Sequence, residues 1–250
     1  MNNAIQHALA TLNLRWIQEH LDEEIAEAAR KQRTPYELIE RLLEGELQTR
    51  EGRSIERRFR HAKLPGRPTL QAYDFHWPAS INVDLVRHLF SLEFMRNASN
   101  VVFIGGVGLG KTHLAAALGV AACQKRLNTL FTPAAAMLND LIEARERGLL
   151  AKALKRYLRT DLLIVDELGY LPVDKLGAEL LFQILAGRYE KQSTVITTNR
   201  PFKEWNKTFA QDNAMTAAVL DRVVHHCQTV IITGKSYRLK GRIDTESNTD

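Results

Sequence analysis

Residues 105–112 read Gly105-Gly106-Val107-Gly108-Leu109-Gly110-Lys111-Thr112: a glycine, four residues, a second glycine, then lysine and threonine. No other feature constrains the fold as tightly, because the pattern works only where a strand gives way to a helix. The flanks agree. Val101-Val102-Phe103-Ile104 is a short apolar run, and an Ala-rich stretch from Thr112 to about Gln124 reads as a helix. Glycines let successive backbone N–H groups converge on phosphate oxygens, and a helix N-terminus adds a favourable dipole. Lys111 would reach the β- and γ-phosphates of ATP, and Thr112 would hold Mg²⁺ through its hydroxyl. The plain alternative is a glycine turn between strand and helix. The full pattern in this setting favours phosphate binding.

A second apolar run, Leu162-Leu163-Ile164-Val165, is bounded by charges and suits a buried parallel strand. It ends in Asp166 and Glu167. Ligands bind at the C-terminal ends of such strands, so Asp166 can bind Mg²⁺ and Glu167 can polarise a water for attack on the γ-phosphate. Paired carboxylates argue for hydrolysis over nucleotide holding; a helix-start acid pair is the alternative. Further strands are predicted at 129–132, 194–198 and 229–232. Helices are predicted around Met137–Ile142, over 176–190 and over about 214–224. Strands alternating with helices imply a parallel sheet covered on both faces. The candidate strand at 129–132 suits an ATPase with an extra strand between the two motif strands. If strand 194–198 lies beside the strand that feeds the glycine loop, Asn199 would face the γ-phosphate and orient water; a turn residue is the alternative. Arg222, on the helix near 214–224, can serve as an arginine supplied across a subunit interface, or pair with Asp221.

The chain has 250 residues, 45% apolar and 25% charged, with a formal net charge of +5. That excludes collagenous, disulfide-stapled and wholly disordered classes. No apolar run reaches the roughly 18 residues of a membrane span, and the N-terminus lacks a secretory pattern. Cys123 and Cys227 read as reduced core residues, so a cytoplasmic location is expected. Helices are predicted over about 15–31, with Ile17, Leu21, Ile25 and Ala28 on one face, and from Thr34. There Thr34, Pro35 and Glu37 compose a capping box, and Leu38, Ile39, Leu42, Leu43 and Leu47 form a stripe. Leu64-Pro65-Gly66-Arg67-Pro68 breaks the helical pattern. The expected organisation is a helical domain over 1–66 with a basic connector near 50–66, a core over 67–243 and a disordered tail over 244–250.

The charge is unevenly placed. Residues 1–49 carry five basic and nine acidic side chains, whereas residues 50–67 carry seven and two. Arg53, Arg57, Arg58, Arg60 and Lys63 compose the connector cluster. Lys152, Lys155, Arg156 and Arg159 share one helical face. Lys235, Arg238, Lys240 and Arg242 make a third cluster. Each can be a solvated face; together they point to DNA held through its phosphates. No base-reading module is present, and the histidines show no metal-ligand spacing.

These residues resemble the AAA+ ATPases, specifically the branch of DnaC-type helicase loaders and IstB-type transposition helpers. The resemblance rests on residues 105–112, on Leu162-Leu163-Ile164-Val165-Asp166-Glu167-Leu168-Gly169-Tyr170, and on Thr197-Thr198-Asn199-Arg200-Pro201-Phe202-Lys203-Glu204-Trp205. It is also carried by the N-terminal phrase from Thr34-Pro35-Tyr36-Glu37-Leu38 through Arg57-Arg58. It implies a Walker A motif at 105–112, a Walker B motif at 162–167, sensor 1 at Asn199 and a trans-acting arginine finger at Arg222. The implied fold is an α/β AAA+ core with a five-stranded parallel sheet, preceded by a small all-helical domain. The implied activity is ATP-dependent homo-oligomerisation on double-stranded DNA and delivery of a target to a cognate transposase; helicase loading is the alternative. Only 28 residues follow Arg222, too few for the usual helical lid. Tyr73, Phe75 and Trp77 are candidates to pack on adenine, or to anchor the segment entering the core.

Overall fold

The computed structural model describes residues 3–77, 80–209 and 211–237. Its internal contacts divide the chain into two units, Met1–Arg57 and Arg58–Asp250. The first holds α1 (Asn3–Thr11), α2 (Arg15–Arg30) and most of α3 (Pro35–Ala62), inside which the division falls. The capping box forms: Glu37 N–H donates to Thr34 Oγ1 at 3.3 Å, and Thr34 N–H donates to Glu37 Oε2 at 2.6 Å. The start of α2 has no side-chain cap of its own. Glu46 on α3 supplies one, accepting from the N–H groups of Trp16 and Ile17 at 2.8 and 3.4 Å. Burial works to raise the Glu46 carboxyl, but Arg50 and these two N–H donors outweigh it and hold it below the ordinary range. The apolar stripes are only half used. Ile17 and Ala28 are buried, while Ile25, Ile39, Leu43 and Leu47 are exposed. Polar residues hold this small unit together in their place. Glu24 is buried and takes Arg41 at 2.6 Å.

The second unit is a parallel sheet of β1 (Asn100–Gly105), β2 (Thr129–Pro133), β3 (Leu162–Leu168), β4 (Ser193–Thr198) and β5 (Cys227–Ile232), in the order β2-β3-β4-β1-β5. The inserted strand between the two motif strands is β4, which pairs with both β1 and β3; β2 lies at the edge. Every strand residue from Val101 to Phe103 and from Leu162 to Val165 is buried, as both-face coverage requires. Alternation then sorts the side chains. Val102, Ile104, Leu163, Val165 and Ile196 face α6 (Ala134–Glu146), α7 (Leu150–Leu158), α8 (Lys175–Arg188) and α9 (Asn213–Val224). Val101, Phe103, Leu162, Ile164 and Val195 face α4 (Val83–Leu89) and α5 (Lys111–Gln124). α1 and α4 are not among the predicted helices, being only nine and seven residues long. Among the described residues no α-helix follows β5, and none is long and apolar enough to cross a membrane. Both cysteines are free thiols. The expected tail over 244–250 and three of the third basic cluster, Arg238, Lys240 and Arg242, lie outside the described residues.

One buried cation holds the floor of the sheet. Arg188, only 1% exposed, donates to the carbonyls of Tyr157, Thr160 and Ser193 at 2.6, 2.8 and 2.6 Å, and to Thr194 Oγ1 at 3.0 Å. Burial lowers its pKa to about 10, against the opposing charge of Asp161, so it remains a cation at neutral pH. Replacing Arg188 with Met strands these buried acceptors. Arg188→Met should lower unfolding free energy by about 3 kcal/mol in urea titration; a change below about 0.5 kcal/mol would contradict this assignment.

Candidate nucleotide site

The glycine loop leaves β1 at its C-terminal end and enters α5 at Lys111. Gly108 and Gly110 have φ of +75° and +79°, a region costly for any residue with a Cβ. They are also crowded. A Cβ on Gly110 would sit 2.5 Å from Cε2 of Tyr73, and one on Gly108 would sit 2.0 Å from Ser236 Oγ. Two segments therefore lie against the loop. Tyr73 Oη donates to Leu109 O at 3.0 Å, and the Tyr237 N–H donates to Gly108 O at 2.8 Å. Lys111 is 5% exposed and donates through Nζ to Gly106 O at 2.7 Å, so its ammonium stays inside the loop it serves.

Thr112, the next residue, reaches across to β3. Its hydroxyl donates to Asp166 at 3.0 Å to Oδ1 and 3.2 Å to Oδ2. Here the β3–β4 ladder is irregular: Val165 pairs with Ile196 and Leu168 with Thr198, so Asp166 and Glu167 stand opposite the single residue Thr197. This is a β-bulge, and Glu167 takes φ of +61° within it. Thr197 is fully buried and satisfies both sides. Its hydroxyl donates to Asp166 Oδ1 at 2.5 Å and accepts from the Glu167 N–H at 2.9 Å.

A cavity of about 350 Å³ opens beside these groups, lined by the glycine loop, Glu167, Thr197, Tyr170, Tyr73, Trp77 and Tyr237. Of the three aromatic residues upstream of the core, Tyr73 and Trp77 reach this cavity. Phe75 instead packs edge-on to Tyr73, ring centroids 4.9 Å apart, over the apolar core. Burial, with the charge of Asp74 adding to it, pushes the Tyr73 phenol up to about 12, so it stays a neutral donor.

A family model described as "IstB-like ATP binding protein" matches residues 7–245, spanning both units. The chain belongs to the IstB-like family of ATP-binding proteins. It is 37% identical over 251 residues to an insertion sequence IS232 protein of Bacillus thuringiensis subsp. berliner, covering 99% of this chain and 100% of that one. It is 37% identical over 232 residues to an IS21 protein of Pseudomonas aeruginosa, covering 93% and 87%. Both are named for their insertion sequence and for ATP binding. The fold resembles the DnaC helicase loader, with a TM-score of 0.57 and 23% identity over 68% of this chain and 99% of that one. It also resembles a DNA replication initiation factor, with a TM-score of 0.58 and 19% identity over 74% and 55%. The core of this IstB-like chain thus has the AAA+ fold.

The site fits the groups this family implies. Residues 107–112 line an open cavity at the N-terminus of α5, a place suited to phosphate, and the Thr112 hydroxyl with the Asp166 carboxylate offers hard oxygen donors suited to Mg²⁺. Asn199 follows β4 directly. Its buried Oδ1 has no partner among the described residues, and it does not line the cavity. Arg222 also lies away from the cavity. It pairs with Asp221 at short range and stands over the Tyr189 ring, 4.9 Å from the centroid.

The basic residues divide by exposure. Arg53, Arg57, Arg60, Lys63, Lys152, Lys155, Arg156 and Arg159 are exposed, and Arg58 is half-buried. Arg156 is also engaged with Asp140 at 3.1 Å and with the hydroxyl of Tyr157. Tyr237 and Ser236 had no motif signal in the sequence, and Thr197 stood only at the head of the phrase 197–205, with no role of its own; the β3–β4 pairing and the path after β5 bring them to the site.

Because Thr197 serves both carboxylate residues, Thr197→Val leaves the Glu167 N–H without its partner and takes from Asp166 Oδ1 one of its two donors, Thr112 being the other. It should cost about 1–3 kcal/mol in urea unfolding and speed amide exchange at Glu167. Thr197→Ser, which keeps the hydroxyl, should recover most of both. Equal behaviour of Val and Ser would remove the bridging role.

Proposed function

We propose that this IstB-like chain hydrolyses ATP, assembles with copies of itself on double-stranded DNA, and acts as the target-selecting helper of an insertion-sequence transposase. The observation that carries the catalytic part is the continuous chain Thr112–Asp166–Thr197–Glu167, which sets both carboxylates beside the glycine loop. The relatives named for insertion sequences, matched over nearly the whole chain, support the transposition setting. The likeness to the DnaC helicase loader bears on the fold and supports no loader reading.

The proposed chemistry follows from the residues. Backbone N–H groups of 106–111 would donate to phosphate oxygens at the start of α5. Lys111 would exchange its bond to Gly106 O for the β- and γ-phosphates. Thr112 and Asp166 would hold Mg²⁺, which when bound offsets charge on the phosphate oxygens. Glu167, turned out by the bulge, is exposed toward the cavity. It is placed to take the proton of an attacking water. Asn199 lies outside the cavity lining, but it follows β4 beside β1 and its buried Oδ1 lacks a partner among the described residues, which supports a role in orienting that water. Arg222, outside its own subunit's cavity, would act in the site of a neighbour, which ties turnover to assembly.

Glu167→Gln should bind ATP as the parent does and lose turnover by at least about 100-fold; Lys111→Ala should weaken binding as well. Arg222→Ala should be inactive alone. Mixing it with Glu167→Gln chains should restore hydrolysis, because one supplies the arginine and the other the intact carboxylate. Normal hydrolysis by Glu167→Gln would overturn the base assignment, and no rescue on mixing would overturn action in trans.

DNA held through phosphates releases counterions. An assembly making six or more such contacts should lose about 10³-fold or more in affinity between about 50 and 200 mM salt. Lys152→Glu with Lys155→Glu should flatten that slope. Salt-independent affinity would exclude phosphate contact as the main mode.

A further inference from the structure

Histidines without any ligand spacing in sequence are brought together at the other end of the sheet. α8 ends at Arg188, and Tyr189-Glu190 begin the turn into β4; α9 ends at Val224, and His225-His226 form the turn into β5. β4 and β5 both pair in parallel with β1, so both turns lie at the N-terminal edge of the strands. The glycine loop lies at the opposite edge, a strand length of about 17 Å away.

At this edge one donor atom each from Glu190, His225 and His226 lies within 4.8 Å of the other two. His226 Nε2 and Glu190 Oε1 are already 3.6 Å apart. Two donors on one tetrahedral zinc ion, bonded at about 2.0–2.1 Å, stand about 3.3 Å from each other. The remaining closure is within reach of side-chain rotation, because all three side chains are exposed. Their backbones are anchored: His226 O accepts from the Asn100 N–H at 2.7 Å, and the Tyr189 N–H donates to Leu185 O at 2.9 Å. His225 is further held through Nδ1 by the Tyr189 hydroxyl at 2.8 Å. A hydrogen bond to one ring nitrogen is the outer-shell contact that metal-bound imidazoles carry, and it fixes the ring.

We propose that Glu190, His225 and His226 form a surface site for a divalent transition ion of the zinc class, distinct from the Mg²⁺ position at Thr112 and Asp166. Two imidazoles and one carboxylate suit zinc and its neighbours, whereas Mg²⁺ and Ca²⁺ take oxygen donors. Three protein ligands leave a fourth position for water or for a donor from another molecule. The ion would tie the α8–β4 turn to the α9–β5 turn. The inference stands on these side chains alone and does not depend on the ATPase reading.

The test is calorimetric titration of the full-length, nucleotide-free protein with zinc chloride in excess Mg²⁺, together with visible spectroscopy after Co²⁺ addition. The expected result is one ion per chain at micromolar zinc and a Co²⁺ spectrum of a four- or five-coordinate nitrogen–oxygen site. His225→Ala, His226→Ala and Glu190→Ala should each weaken binding by about 10-fold or more, with circular dichroism unchanged, while Asp166→Asn should bind as the parent does. No uptake at micromolar zinc, or uptake unchanged in the His225→Ala/His226→Ala double variant, would overturn the site. Should a variant fail to fold, a purely octahedral Co²⁺ spectrum of the parent would overturn it too.

Discussion

A single hydroxyl governs the geometry of the nucleotide site. In a regular strand, neighbouring side chains point to opposite faces of the sheet, so consecutive acids such as Asp166 and Glu167 could not serve one ligand together. The bulge removes that restriction, and a bulge exposes polar backbone that needs a partner. Thr197 is that partner for both residues at once: it donates to one and accepts from the backbone of the other. A valine fits the same space and β-strand preference but offers neither bond. The positive φ of Glu167 is thus over-determined by its surroundings, the condition under which such a conformation persists at a functional site.

The opposite end of the sheet is held by buried polar groups of a different kind. Asn100, the first residue of β1, donates to the carbonyls of Arg222 and Val223 at 3.3 and 3.1 Å and accepts from the Thr194 N–H at 3.0 Å. It closes the C-terminal end of α9, whose last carbonyls lack helical partners. The strand that feeds the glycine loop therefore also anchors the helix that carries Arg222. With Arg188 fixing the start of β4 and the end of α7, this edge resists change because every move would strand a buried donor or acceptor.

What the sequence made legible was local. The eight-residue loop, the apolar strands and the capping box at Thr34 each depend on residues near one another, and each appears in the structure where the pattern places it. What escaped depends on pairing between distant segments. Thr197 is an ordinary strand residue until β4 is set against the bulge in β3. Glu46 reads as one acid among several on α3 until it is seen to cap α2, and three of the five residues of the predicted stripe, Ile39, Leu43 and Leu47, are left exposed. Likewise, Glu190 is 35 residues from His225 in sequence and adjacent to it in space.

For Arg222, magnitudes bear on two readings that the sequence left open. The structure gives it the local partner, Asp221, and also an aromatic platform in Tyr189. Neither traps it. An exposed ion pair contributes about 0–1 kcal/mol, and a cation–π contact at an exposed site about 0.5–1 kcal/mol. A bidentate bond from arginine to a desolvated phosphate is stronger than either and adds a fixed direction. The two local contacts hold the guanidinium in an ordered position, so less side-chain entropy would be lost if it engaged a phosphate. The salt bridge with Asp221 is therefore compatible with the proposed role across a subunit boundary.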